Sequence, residues 1–232
     1  MKRTALYLMI IILLSGCTTI PDSIDDKYLV DKTSSQRDTL IKIENEIIEK
    51  NRAVKTSQDT LDSKIKIPEF TDSEIKLLDR ENSILRDQVD LYVKYKDARN
   101  IELRKSRLAE NEAYTKRKKA LNELQKADIE LAKADLEVKQ ADLAVSVAEL
   151  EYEKSKIAAA YRDKNEIPEP EQKKGVFSKI TGSDNKADDK YGYSVYGQFL
   201  DKKRTELQKA REKHAAALKK FEDARKNSET LN

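Results

Sequence analysis

From residue 127 to residue 154 the chain repeats one seven-residue phrase four times: Ala127-Asp128-Ile129-Glu130-Leu131, Ala134-Asp135-Leu136-Glu137-Val138, Ala141-Asp142-Leu143-Ala144-Val145 and Ala148-Glu149-Leu150-Glu151-Tyr152. Alanine every seven residues, with a larger apolar residue four places on, is what a helix shows when one seam packs along a partner helix. At about 100° per residue the fourth place lies only about 40° from the alanine, whereas Ile129, Leu136, Leu143 and Leu150 lie about 200° away. Two apolar faces on nearly opposite sides imply a helix held between neighbours, contributed by this chain or by other molecules.

The rest of the sequence supports long helices. Charged residues make up 38% of the chain, there is no Trp, and the five Gly and four Pro are confined to a few places, which leaves long stretches with nothing to interrupt a helix. Apolar residues recur at Leu40, Ile47, Val54 and Leu61 and predict a first helix from about 35 to 64. Pro68 ends it, Thr71 and Glu74 have the form of a capping box, and no Gly or Pro follows until Pro168. The second helix is therefore expected to run unbroken from about 72 to 162, roughly 135 Å at 1.5 Å per residue. A third helix, from about 191 to 226, aligns Leu200, Leu207, His214 and Phe221 in one column and Ala210, Ala217 and Ala224 in another.

The fold class that follows is all-α, with elongated antiparallel coiled-coil hairpins sharing one very long central helix. Ile75, Leu78, Leu85, Val89 and Tyr92 pair the start of the second helix with the first, and the alanine columns pair its end with the third. On that arrangement the column Ile129, Leu136, Leu143, Leu150 is left open as a face for another helical protein or for self-association.

The N-terminus is a basic pair, Lys2-Arg3, followed by an apolar core from Ala5 to Leu14 and then Ser15-Gly16-Cys17. This pattern is a secretory signal, and its apolar core is too short to be a stable transmembrane anchor. Leu14-Ser15-Gly16-Cys17 resembles the lipobox of bacterial lipoproteins. That resemblance implies a diacylglyceryl group on the Cys17 thiol, cleavage before Cys17 and acylation of its new amino group. Membrane attachment through these acyl chains is the first partner expected. Thr18, where such lipoproteins carry Asp when retained in the inner membrane, implies the outer membrane, facing the periplasm; the cell surface is the alternative. Domain boundaries follow as 1–16 signal peptide, 17–34 lipidated flexible tether, 35–162 first and second helices, 163–190 loop and 191–232 third helix.

Two further stretches are candidate contacts. Lys116, Arg117, Lys118 and Lys119 lie in a part of the second helix that neither partner helix covers on this arrangement, and form a candidate site for an anionic surface. Val176, Phe177 and Ile180 form an apolar patch flanked by lysines in a loop longer than a helix hairpin needs. The net charge of +3 predicts no nucleic-acid partner. His214 is the single histidine and falls in a heptad column, no Gly-rich phosphate loop is present, and carboxylates on exposed helices have nothing to shift them toward catalysis. No enzyme activity, metal or cofactor is expected. The alanine-rich helices are also similar to the coiled-coil hairpins of periplasmic adaptors that engage outer-membrane efflux channels, over 120–162 and the third helix, without the β-rich domains those adaptors carry.

A membrane-anchored structural or adaptor lipoprotein is the function this reading predicts, with an adhesin-like surface lipoprotein as its alternative.

Overall fold

The computed structural model describes residues 21, 23–66, 72–165 and 193–231. The leader, Cys17, the start of the tether and the loop bearing Val176, Phe177 and Ile180 lie outside the described residues. Among the described residues, four α-helices follow a 3-10 turn at Asp26–Leu29: α1 Ser34–Lys66, α2 Asp72–Lys94, α3 Ala98–Lys164 and α4 Tyr193–Glu229. The fold is all-α, with helical hairpins arranged around the long central helix α3.

The expected second helix is in fact two, because the chain turns at Tyr95-Lys96-Asp97. Lys96 adopts the left-handed conformation, φ 56°. Its N–H bonds the Val93 carbonyl at 3.1 Å, and the Asp97 N–H bonds the Tyr92 carbonyl at 3.1 Å, the paired closure that satisfies the last carbonyls of a helix. Asp97 then opens α3 as its N-cap, with Oδ1 accepting from the Asn100 N–H at 3.1 Å and Oδ2 from the Asn100 side-chain amide at 2.6 Å. These hydrogen bonds hold the Asp97 carboxyl below its ordinary pKa.

Two compact units make up the chain, with boundaries inside α1, α3 and α4: one comprises Met1–Ile47 and Ala144–Arg204, the other Ile48–Leu143 and Thr205–Asn232. In the second unit α2 folds back antiparallel on the first half of α3. Asp72 meets Lys126 at 2.8 Å, Asp79 meets Lys119 at 2.7 Å, and Arg86 Nε donates to Glu112 at 3.1 Å. The seam predicted from Ile75, Leu78, Leu85, Val89 and Tyr92 thus exists, but it faces α3 rather than the first helix. In the same unit α1 packs on the repeat. Lys50 pairs with Asp142 at 3.2 Å, the Ser57 hydroxyl donates to Asp135 at 2.8 Å, and Lys64 pairs with Asp128. These contacts step seven residues along each helix in opposite directions, which fixes an antiparallel register. Leu61, Ala132 and Leu136 are buried between the two helices, with Val54 and Ile129 packed against them.

Helix α4 lies antiparallel on α3, as the alanine columns predict. Lys213 reaches Glu137 at 3.1 Å and Lys220 reaches Glu130 at 3.4 Å, again one heptad apart on both helices.

In the first unit the segment expected to be tether is partly built into the fold. Leu29 is 4% exposed, and the Ile24 N–H donates to Glu151 Oε2 at 3.0 Å. Tyr28 meets Tyr161 edge-on at 6.2 Å between centroids, and the buried Arg162 guanidinium lies 5.4 Å from the Tyr28 ring. Asp31 pairs with Lys164 at 2.9 Å and raises the lysine's pKa. Thr33 and Gln36 then exchange side-chain to backbone hydrogen bonds, 2.8 and 3.2 Å, a capping box that starts α1. The segment expected to be a flexible tether is thus held by buried Leu29, by the contacts of Tyr28 with Tyr161 and Arg162, and by the polar contacts of Ile24 with Glu151 and Asp31 with Lys164.

Candidate functional site

The leucine column proposed as an open partner face is closed by the chain itself. Leu136, Leu143 and Leu150 are 8%, 7% and 2% exposed, and Ile129 is half-buried. The physical reason is the turn at Lys96: it directs α2 onto the first half of α3 and leaves α1 to cover the repeat. Both faces of the heptad repeat in the second unit are therefore occupied, one by α1 and one by α4.

The basic cluster changes character for the same cause. The stretch from Arg104 to Glu123, expected to be uncovered, carries α2 along it. Lys119 is paired with Asp79 of α2, and the Lys118 ammonium sits 5.1 Å from the Tyr114 ring centroid. Lys116 and Arg117 point to solvent. The run is thus half structural, and the four residues do not form one anion-facing set.

His214 is half-buried in the α4 seam, between buried Leu207 and Ala210 on one side and half-buried Phe221 and Ala224 on the other. Among the described residues no group of three or more His, Cys, Asp or Glu side chains is placed to hold a metal ion. A shallow groove between α3 and α4 has Ala134, Ala216 and Ala217 on its floor and Glu130, Lys133, Glu137, Lys213 and Lys220 along its walls. The small side chains let the two backbones approach, and the ion pairs across them are solvent-exposed and contribute little each.

An exposed apolar surface lies instead on the turn after α2 and on α2 itself, at residues whose spacing places them in the stripe expected to pair the second helix with the first. Leu77, Ile84 and Leu91, whose spacing widens the apolar stripe of α2, are 65%, 49% and 48% exposed. Val93, Tyr95 and Leu103 are 50%, 74% and 50% exposed around the turn. The seam with α3 is instead filled in part by polar groups. Buried Asn82 donates to the Thr115 hydroxyl at 3.0 Å and accepts from Asn111 at 2.9 Å, while Thr115 donates to the Asn111 carbonyl at 2.7 Å. Asp72, at the start of α2, accepts from Lys126 and Asn122, which lowers its pKa.

No helix among the described residues is long and apolar enough to cross a membrane. Compared with known proteins, the chain matches no family model, and no similar curated protein or solved structure was found.

Proposed function

We propose that the protein is a lipid-anchored helical adaptor of a bacterial cell envelope, attached through acyl chains on Cys17 to the outer membrane and presenting its helices to protein partners in the periplasm. The observation that carries this reading is the single cysteine of the chain placed at the end of the leader's apolar core, in Leu14-Ser15-Gly16-Cys17. Several acyl chains anchor stably where one is marginal, at about 0.8 kcal/mol per buried methylene.

The folded N-terminal segment sharpens what such an anchor does. The chain is built into the first unit from Ile24 onward, through the Glu151 hydrogen bond and buried Leu29. An extended chain reaches at most about 3.6 Å per residue, so the stretch from Cys17 to Ile24 holds that unit within about 25 Å of the lipid. A tether running to residue 34 would allow more than twice that. For the partner face, the large apolar side chains left outward on α2, Leu77, Ile84 and Leu91, replace the covered column on α3.

Metabolic labelling with palmitate tests the reading. The wild-type chain incorporates label and fractionates with membranes, and Cys17→Ala abolishes both. Label retained by Cys17→Ala, or none on the wild type, overturns it.

A further inference from the structure

We propose that the turn joining α2 to α3 binds the surface of an anionic phospholipid bilayer. Three observations converge there. Tyr95, Val93 and Leu91 stand 74%, 50% and 48% exposed on one side of the turn, and Leu103 is 50% exposed on the other. From Lys94 to Lys105 the exposed cations are Lys94, Lys96, Arg99 and Lys105, against Asp97 and Glu102, while Arg104 is half-buried. Asp97 keeps its negative charge in the Asn100 cap, so the excess of cation at the exposed turn is four against two. Finally, the apex residue at φ 56° is an exposed lysine, where glycine or asparagine would adopt that conformation with less strain.

The combination selects the ligand. Apolar side chains that protrude from a turn, ringed by long cationic ones, match a headgroup layer: tyrosine and aliphatic groups enter the acyl boundary while lysine and arginine stems extend to the phosphates. Cations near an anionic leaflet contribute about 1 kcal/mol each, which makes the attraction dependent on lipid charge and salt. The contact is separate from the acyl anchor, and its test omits Cys17.

The experiment uses the chain beginning at Thr18, which keeps every described residue, in cosedimentation with vesicles of phosphatidylcholine alone or mixed with phosphatidylglycerol. Binding is expected with phosphatidylglycerol and is lost as salt rises. Lys94→Gln with Lys96→Asn and Arg99→Gln weakens it about tenfold or more. Val93→Ser with Tyr95→Ser weakens it severalfold at unchanged charge. A matched neutralisation on α4, Lys209→Gln with Arg211→Gln and Lys219→Gln, leaves it within about twofold. Absence of binding to phosphatidylglycerol vesicles overturns the proposal and leaves an acidic protein face as the chemistry for this turn. Equal loss in the α4 control also overturns it, since the attraction would then be a property of net charge.

Discussion

Helix α3 is gripped by α1 along residues 128–142 and by α2 along residues 111–126, and the two seams differ in kind. The α1 seam buries Leu61, Ala132 and Leu136 under a ladder of Lys50, Ser57 and Lys64 against Asp142, Asp135 and Asp128. The α2 seam places Asn82, Asn111 and Thr115 in one hydrogen-bonded layer beside buried Leu85 and Val89. Gln88, Arg104, Asn122 and Gln125 of these two helices each bury a polar side-chain atom that has no partner among the described residues. Apolar burial stabilises without choosing a register, whereas a polar layer is satisfied in one alignment only. The first seam therefore joins apolar burial to a polar ladder along its edge, whereas the second carries its polar groups inside the seam, while α2 keeps Leu77, Ile84 and Leu91 outward for other contacts.

The largest expected effect breaks the apolar seam. Leu136→Ala removes a side chain packed among Leu61, Ala132, Val54 and Ile129 and is expected to cost about 2–4 kcal/mol. Leu77→Ala, at 65% exposure, is expected to stay within about 0.5 kcal/mol. Urea unfolding followed by circular dichroism reads both. Equal costs would mean that Leu77 is covered in solution and that the contrast between the seams fails.

Next comes the polar layer. Asn82→Ala leaves the Asn111 amide and Thr115 hydroxyl short of a partner and is expected to cost about 1–2 kcal/mol. Replacing all three together, Asn82→Leu with Asn111→Leu and Thr115→Val, is expected to recover stability and lose alignment. Cysteine pairs introduced at Asp79 and Lys119, which face each other in the native register, measure this directly: the triple variant should crosslink there less completely than wild type.

How much of this was legible in the sequence divides along the same line. The stripe Ile75, Leu78, Leu85, Val89, Tyr92 and the alanine columns of α3 and α4 were plain, because spacing reports which residues share a face. Spacing does not report which helix covers that face, since two series of equal period align in any register. The polar residues share this ambiguity, since Lys50, Ser57 and Lys64 step by seven as do Asp128, Asp135 and Asp142, and their pairing is seen only in the structure. The turn at Tyr95-Lys96-Asp97 was hidden for a different reason. It uses neither Gly nor Pro, and its capping partner is Asn100 where a capping box would have Glu or Gln.

That turn closes the hairpin of α2 on α3, and it can be tuned. Lys96→Gly relieves the left-handed strain and is expected to raise stability by about 0.5–1 kcal/mol, read as a rise in the urea midpoint at unchanged slope. A fall in the midpoint would place stabilising contacts of the lysine side chain above its backbone strain.

The smallest effect is the pH dependence of the cap on α3. The Asn100 side-chain and backbone hydrogen bonds lower the Asp97 pKa in the folded chain, so folding favours the carboxylate. The stability this contributes is fully present above the ordinary aspartate range and is lost as pH falls through the lowered folded value. Asp97→Asn still accepts from the Asn100 N–H but does not titrate. It is therefore expected to lower the urea midpoint slightly at neutral pH and to flatten this part of the acid dependence. Comparing urea midpoints of wild type and Asp97→Asn from pH 7 down to pH 3 reads the difference. The two curves should converge as the solution is acidified, because a protonated Asp97 and the asparagine that replaces it are both neutral. Parallel curves would show that the cap holds its geometry without the carboxylate's charge, and that the turn between α2 and α3 is set by the backbone closure at Lys96 alone.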